Sequence, residues 1–230
     1  MAFTDRHSGL WLPPDQMRQL GPACDDVIRA NRARTATAFG LDPDRVVFMR
    51  QVHGADVRRV SEPFGSDPPP TDGMCTDRPG LALAVLVADC GPVLLADPVA
   101  AVVGCAHAGR TGTKAGVVAE TVWAMVRCGA DPARMTALVG PTVCGHCYEV
   151  PLELREEMAA DWPAARAVTR TGTPSIDLRA AIRAQLLASG VQDIRHDQRC
   201  TVESPELFSY RREGPTGDFA GYVWLEPEPG

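Results

Sequence analysis

Apolar and polar positions follow two different periods along this chain. From Asp25 to Phe39 the period is helical, with Val27, Ala30, Ala33 and Ala36-Thr37 on one side, arginines on the other, and Gly40 as the stop. Val46-Val47-Phe48-Met49 predicts a strand that continues to His53, and Asp56 to Val60 alternates as a second, more exposed strand. Pro63 to Pro70 holds four prolines and a glycine, which predicts an irregular loop. Leu81 to Ala88 is almost wholly apolar and reads as a strand buried on both faces. Val93 to Ala96 and Ala100 to Ala106 predict two more strands.

Gly109 to Gly112 reads as a turn. Thr113 then opens a helix through about Cys128, with Val117, Val118, Thr121, Val122 and Met125 inward and Gly129 at its end. Met135 to Gly140 reads as a strand, Pro151 to Trp162 and Asp177 to Ser189 as helices, and Ile194 and Ala220 to Leu225 as parts of the last strands. No internal repeat, linker or low-complexity segment interrupts this order. Consecutive strands mixed with strand–helix alternation predict one mixed α/β (α+β) domain over residues 1–230.

Composition narrows the functional classes. A chain of 230 residues, 45% hydrophobic and 23% charged, can bury a core without covalent staples. The formal net charge of −6 and the lack of basic runs exclude a surface that tracks nucleic acid. Basic pairs at Arg58-Arg59 and Arg211-Arg212 suit a small anion only. The first residues show no secretory signal, and the longest apolar stretch is too short to span a bilayer. The expectation is a cytoplasmic protein whose eight cysteines are mostly free thiols. Cys144 and Cys147 form a C-x-x-C unit with no second such pair, which leaves a redox role as one reading.

Three short segments carry the candidate chemistry: Gln51-Val-His-Gly54, Val87-Ala-Asp-Cys90 and Cys105-Ala-His-Ala-Gly109. Each places a potential ligand at the carboxyl end of an apolar run, where open α/β sheets bind ligands. His53, Cys90 and His107 together make a three-ligand set with one open position, the arrangement of catalytic zinc. A bound zinc would lower the pKa of Cys90. Arg110 and Lys114 add positive charge beyond His107. Three other readings use the same residues. Cys90 could be a nucleophile with His107 as its base, in a Cys–His hydrolase. Gly104 to Thr111 nearly fits a phosphate-binding loop, with arginine in place of lysine. A non-catalytic zinc-binding module is the last, against which the lack of a fourth ligand speaks.

The chain resembles the YfiH (DUF152) laccase-domain family over nearly its whole length. The likeness runs through Asp26-Val-Ile-Arg-Ala-Asn-Arg32, Arg50-Gln-Val-His-Gly54, Thr71-Asp-Gly-Met-Cys-Thr76, Leu81 to Cys90, Gly104 to Gly109, Gly140 to Val150, Arg199-Cys-Thr201 and Phe208 to Arg212. The resemblance implies a layered α/β/β/α fold with two mixed sheets between helices. It implies a zinc triad on His53, Cys90 and His107. It also implies phosphorolysis of purine nucleosides (adenosine, inosine, guanosine and methylthioadenosine), with adenosine deaminase activity in the same site. Some family members are described as peptidoglycan-editing factors. The older polyphenol oxidase name implies copper, but a His-Cys-His set in a chain with five histidines makes a poor copper oxidase.

Two departures stand out. The family follows Ala-His-Ala-Gly with Trp-Arg-Gly, whereas this chain has Arg110-Thr111-Gly112. The glycine-rich start and Asn-Leu-Gly segment of the family are missing or degenerate between Met1 and Ala23. Arg110, Arg211 and Arg212 are the candidates to hold phosphate. Asp89 is the acidic residue nearest the trio in sequence, and the general acid or base is not assigned.

Overall fold

The computed structural model describes residues 1–65 and 67–227. Among them are twelve strands: β1 (Ala2–Phe3), β2 (Val46–Phe48), β3 (Val57–Arg59), β4 (Gly73–Thr76), β5 (Ala82–Val87), β6 (Gly91–Asp97), β7 (Val102–Ala108), β8 (Thr136–Val139), β9 (Arg166–Val168), β10 (Pro174–Ile176), β11 (Asp193–His196) and β12 (Phe219–Trp224). The α-helices are α1 (Pro14–Leu20), α2 (Cys24–Ala38), α3 (Arg110–Lys114), α4 (Val117–Arg127), α5 (Leu152–Asp161), α6 (Leu178–Ala188) and α7 (Tyr210–Glu213).

Two mixed sheets form the centre. One has the order β1-β12-β5-β2 and the other β11-β8-β6-β7-β4-β3, while β9 and β10 pair as a separate hairpin. Leu83, Val85 and Val87 of the first sheet meet Leu94 and Cys105 of the second, with Phe219 and Val223, in a dry layer between them. Truncating Leu83 or Leu94 to alanine there costs about 2–5 kcal/mol. α4 and α6 cover the outer face of the larger sheet through Val118, Val122, Met125, Ile182 and Leu186. α2 lies outside the smaller sheet, where Phe39 and Phe48 pack on Tyr222. The layers run helix, sheet, sheet, helix, as the family resemblance implies.

Several boundaries differ from the sequence pattern for local reasons. β2 ends at Phe48 instead of running to His53, because the N–H groups of Val52, His53 and Gly54 donate to the Asp72 carboxylate and not to a strand. The expected turn at Gly109–Gly112 is helical from Arg110. The helix breaks at Gly116, whose φ of 90° only glycine adopts freely, and restarts as α4. β4 has no counterpart in the sequence pattern, since four residues carry too little periodicity to register. α2 buries Ile28, Thr35 and Ala36 rather than the side with Val27 and Ala30. Arg32 turns inward, donating to the Leu10 carbonyl and lying 4.1 Å from the Phe48 ring centroid. The expected loop at Pro63–Pro70 includes Ser66, and the expected domain includes residues 228–230; these four lie outside the described residues.

β5 belongs to one sheet and β6 to the other, so the Ala88-Asp89-Cys90 link crosses between layers. The site is built at that crossing.

Candidate active site

His107 sits near the end of β7, fully paired in the larger sheet and 2% exposed. Its Nδ1–H donates to Asp72 Oδ1 at 2.8 Å, which leaves Nε2 as the free ligand atom. The buried Asp72 also accepts from the backbone N–H groups of Val52, His53 and Gly54, at 2.7–3.2 Å. Burial pushes the Asp72 carboxyl up, but these donors outweigh it and hold it below its ordinary value.

His53 is not at a strand end. It occupies a turn with φ 61°, a left-handed conformation costly for a residue with a side chain. Asp72 fixes its N–H, Thr111 Oγ1 donates to its carbonyl at 2.8 Å, and Gln51 ties the turn to β5 through two bonds to Leu86. Asp89, with φ 89°, is strained in the same way beside Cys90. Its carboxylate points away from the ligands, to the Thr201 hydroxyl at 2.5 Å and the Arg211 N–H at 2.6 Å. Its carbonyl accepts from Thr142 Oγ1 and the Val143 N–H. Asp89 therefore positions two loops around the site.

These constraints bring ligand atoms of His53, Cys90 and His107 within 4.8 Å of one another. Cys90 Sγ is 3.9 Å from His53 Nε2, and the imidazoles meet edge to face at 4.7 Å. Gly109 forms the floor: a Cβ there would lie 2.9 Å from His53 Cδ2 and 3.0 Å from Cys90 Sγ. The open floor, the mixed nitrogen and sulfur donors and the fixed tautomer of His107 all suit a metal ion. Burial raises the Cys90 thiol, yet the charge of His107 and hydrogen bonds from both histidines outweigh burial and bring it down to about 7. Burial lowers His107, but Cys90 and Asp72 outweigh it and carry the imidazole up to about 10. Without a metal, these opposite shifts favour a thiolate–imidazolium pair.

The triad opens into a cavity of about 880 Å³ whose wall includes Trp11, Arg32, Phe48, Tyr148, Tyr210 and Asp218. Arg110 and Arg211 also line it. Arg211 lies 5.0 Å from the Tyr148 ring centroid. Burial raises the Tyr148 hydroxyl, and the charges of Arg110 and Arg211 only partly counter this. Asp218 is pushed up to about 6 by burial, against opposing pulls from His107, Arg32 and His53.

The other expected cations lie elsewhere. Arg212 is not part of the cavity wall. Its guanidinium donates to the carbonyls of Thr201, Val202, Ser204 and Leu207 and pairs with Glu213, so the phosphate role expected for it is not supported by its position. Lys114 is held by Glu157 and Asp161 at 3.3 and 3.2 Å, which removes the charge expected beyond His107. Sequence reasoning missed Asp72, Asp218, Tyr148 and Trp11. Asp72 and Tyr148 had a usable signal, since both lie in segments that carry the family likeness, Thr71–Thr76 and Gly140–Val150; Trp11 and Asp218 reach the cavity from distant segments without one.

Comparison with known proteins places these residues in context. A family model described as multi-copper polyphenol oxidoreductase laccase matches residues 1–226. A protein of Streptomyces griseus named purine nucleoside phosphorylase is 54% identical over 230 residues, covering 98% of this chain and 94% of that one. The Escherichia coli purine nucleoside phosphorylase YfiH is 38% identical over 228 residues, covering 96% and 91%. Among solved structures, the Bacillus licheniformis YfiH protein superposes with TM-score 0.79 at 30% identity, covering 86% of this chain and 81% of that one. A Neisseria meningitidis protein of the DUF152 family superposes with TM-score 0.80 at 29% identity, covering 98% and 91%.

Proposed function

The chain belongs to the YfiH laccase-domain family, and on that premise we propose that it is a purine nucleoside phosphorylase with zinc held by His53, Cys90 and His107. One observation carries the assignment of the site: three ligand atoms within 4.8 Å of one another at the wall of a cavity that also holds Arg110 and Arg211. Adenosine deamination in the same cavity is part of the proposal. The chain acts as a single laccase domain. Free thiols such as Cys90 and Cys147 favour the reducing cytoplasm as its compartment.

Zinc held by His53, Cys90 and His107 would supply Lewis acidity to a bound oxygen. The protein's own groups do the rest. Trp11, Phe48 and Tyr148 offer flat faces to a purine. Arg110 and Arg211 hold phosphate near the sugar, so that a phosphate oxygen bonds to the anomeric carbon as the bond to the purine breaks. The departing purine takes up a proton. Asp218, with its carboxyl near 6, holds one in useful fraction at neutral pH and is the group assigned to deliver it.

The thiolate–imidazolium pair supports a second reading, in which Cys90 attacks substrate as a hydrolase nucleophile. It leaves His53 without a role. The test is metal analysis of purified protein followed by a panel of adenosine, inosine, guanosine and methylthioadenosine, each with and without phosphate. The expected result is zinc in the protein and free base plus sugar 1-phosphate only when phosphate is present, with inosine formed from adenosine in its absence. Zinc-loaded protein that releases no base with phosphate overturns the phosphorylase reading. A substrate adduct on Cys90 in mass spectrometry selects the hydrolase.

A further inference from the structure

Cys144 and Cys147 take no part in the proposed reaction, and the fold brings a third thiol to them. Cys144 and Cys147 lie on the loop that follows β8, and Cys200 on the loop that follows β11. The two loops pair at Thr142 and Cys200, and the parallel strands β8 and β11 hold them side by side. Ligand atoms of Cys144, Cys147, Cys200 and Glu203 all lie within 4.8 Å of one another. All three cysteines are free thiols, and Cys200 is 4% exposed.

We propose that Cys144, Cys147, Cys200 and Glu203 form a second metal site, a closed four-ligand centre for zinc. Three soft sulfur donors and one carboxylate are all zinc ligands, and four of them match the coordination number of structural zinc. One backbone and one side-chain donor already face these sulfurs. The N–H of Cys144 donates to Cys200 Sγ at 3.3 Å, and Arg170 Nη1 donates to Cys147 Sγ at 3.6 Å. The N–H groups of Cys147 and Tyr148 both return to the Cys144 carbonyl, closing the tight turn that lets a C-x-x-C pair bind one ion. Arg170 also pairs with Glu203, and its charge offsets part of the negative excess left by three thiolates and a carboxylate around a dication. The carboxylate keeps a second oxygen for the metal.

This centre staples the two loops that Asp89 also joins. One carries Val143 and Tyr148 into the cavity; the other runs through Thr201 toward α7, whose Arg211 covers Tyr148. The role is structural, distinct from the triad and independent of the phosphorylase reading.

The Cys90→Ala variant of the full chain separates the two sites. Wild type is expected to hold about two zinc ions per chain and Cys90→Ala about one. Adding Cys147→Ser to Cys90→Ala should remove the remaining ion. Cobalt-loaded Cys90→Ala should keep the near-ultraviolet charge-transfer band of sulfur-bound cobalt, a readout that needs no second-site variant to fold. Metal-free Cys90→Ala with no cobalt–sulfur band overturns the proposal, as does a thiol count showing Cys144 or Cys147 in a disulfide. If wild type holds one ion that survives Cys90→Ala and is lost with Cys147→Ser, the second site stands and the triad assignment falls. If wild type holds one ion that is lost with Cys90→Ala, the triad stands and the second site falls.

Discussion

Asp72 Oδ1 accepts the Nδ1–H of His107 at 2.8 Å, and that same buried oxygen accepts the backbone N–H of His53 at 2.9 Å. One carboxylate thus fixes the ring of one proposed ligand and the strained turn of another. Replacing it with an amide keeps the size but puts an NH₂ group against N–H donors. Asp72→Asn is therefore expected to weaken metal binding about ten- to hundredfold. Competition against a chelator measures this directly. Unchanged affinity would mean that the histidines are set by packing alone.

Gly109 tests the site by shape. Its φ of −74° and ψ of 173° suit alanine without backbone strain. The Cβ would nevertheless intrude to 2.9 Å from His53 and 3.0 Å from Cys90. Gly109→Ala should leave the thermal midpoint close to wild type and lower the metal content sharply. Full metal content in this variant removes the triad as the binding site.

The proposed ligands were legible because each stands beside glycine or a small residue at the end of an apolar run, and tight backbone approach leaves that trace in sequence. The mixed α/β class was legible from the wholly apolar Leu81–Ala88 run and the helical period of α4, whereas the layered arrangement came from the family resemblance. What stayed hidden depends on long-range geometry. Asp72 itself stands in the legible Thr71-Asp-Gly segment, but the three backbone N–H groups it holds have no sequence signature. Arg211 and Arg212 look equivalent as neighbours, yet α7 aims one at the cavity and the other at four carbonyls. Cys200 reads as a lone cysteine until the parallel β8–β11 pair sets it against Cys144.

The triad sets a pH signature for metal-free protein. Cys90, brought down to about 7, should be alkylated with a rate that rises through neutral pH and levels off above it, because only the thiolate reacts. Buried Cys75, pushed up to about 12 by burial and by Cys128, should stay inert over that range. Zinc should slow the labelling of Cys90 by occupying its lone pair. A Cys90 rate that keeps climbing beyond about pH 8 would contradict the thiolate–imidazolium pair.

Asp97 governs acid stability far from the cavity. Its buried carboxylate accepts from Arg134 and from the N–H groups of Val99, Ala100 and Asp131. Burial raises the carboxyl, but these partners outweigh it and hold it at about 2. A carboxyl lowered in the folded state stabilises the fold above its unfolded pKa and loses that contribution as pH falls toward 2. Asp97→Asn should cost about 1–3 kcal/mol at about pH 6, with the gap to wild type narrowing below about pH 4. Urea unfolding at a series of pH values measures it, and a gap that does not change with pH would assign the loss to shape.

The arginines separate anion binding from architecture. Arg110 follows the Gly109 floor and Arg211 covers Tyr148, and both line the cavity. If each gives phosphate one charge-assisted hydrogen bond, Arg110→Ala or Arg211→Ala loses about 1.5–3 kcal/mol, roughly a ten- to hundredfold drop in phosphate-dependent kcat/KM. Deamination of adenosine uses water, so it should fall much less. Arg212→Ala should do the reverse. Its guanidinium holds four carbonyls, so the variant should lose thermal stability while folded enzyme keeps its KM for phosphate. Steady-state kinetics at varied phosphate, with thermal unfolding on the same samples, distinguishes the cases. Equal loss of both activities in Arg110→Ala would make that residue a support of the triad floor and leave Arg211 as the phosphate cation.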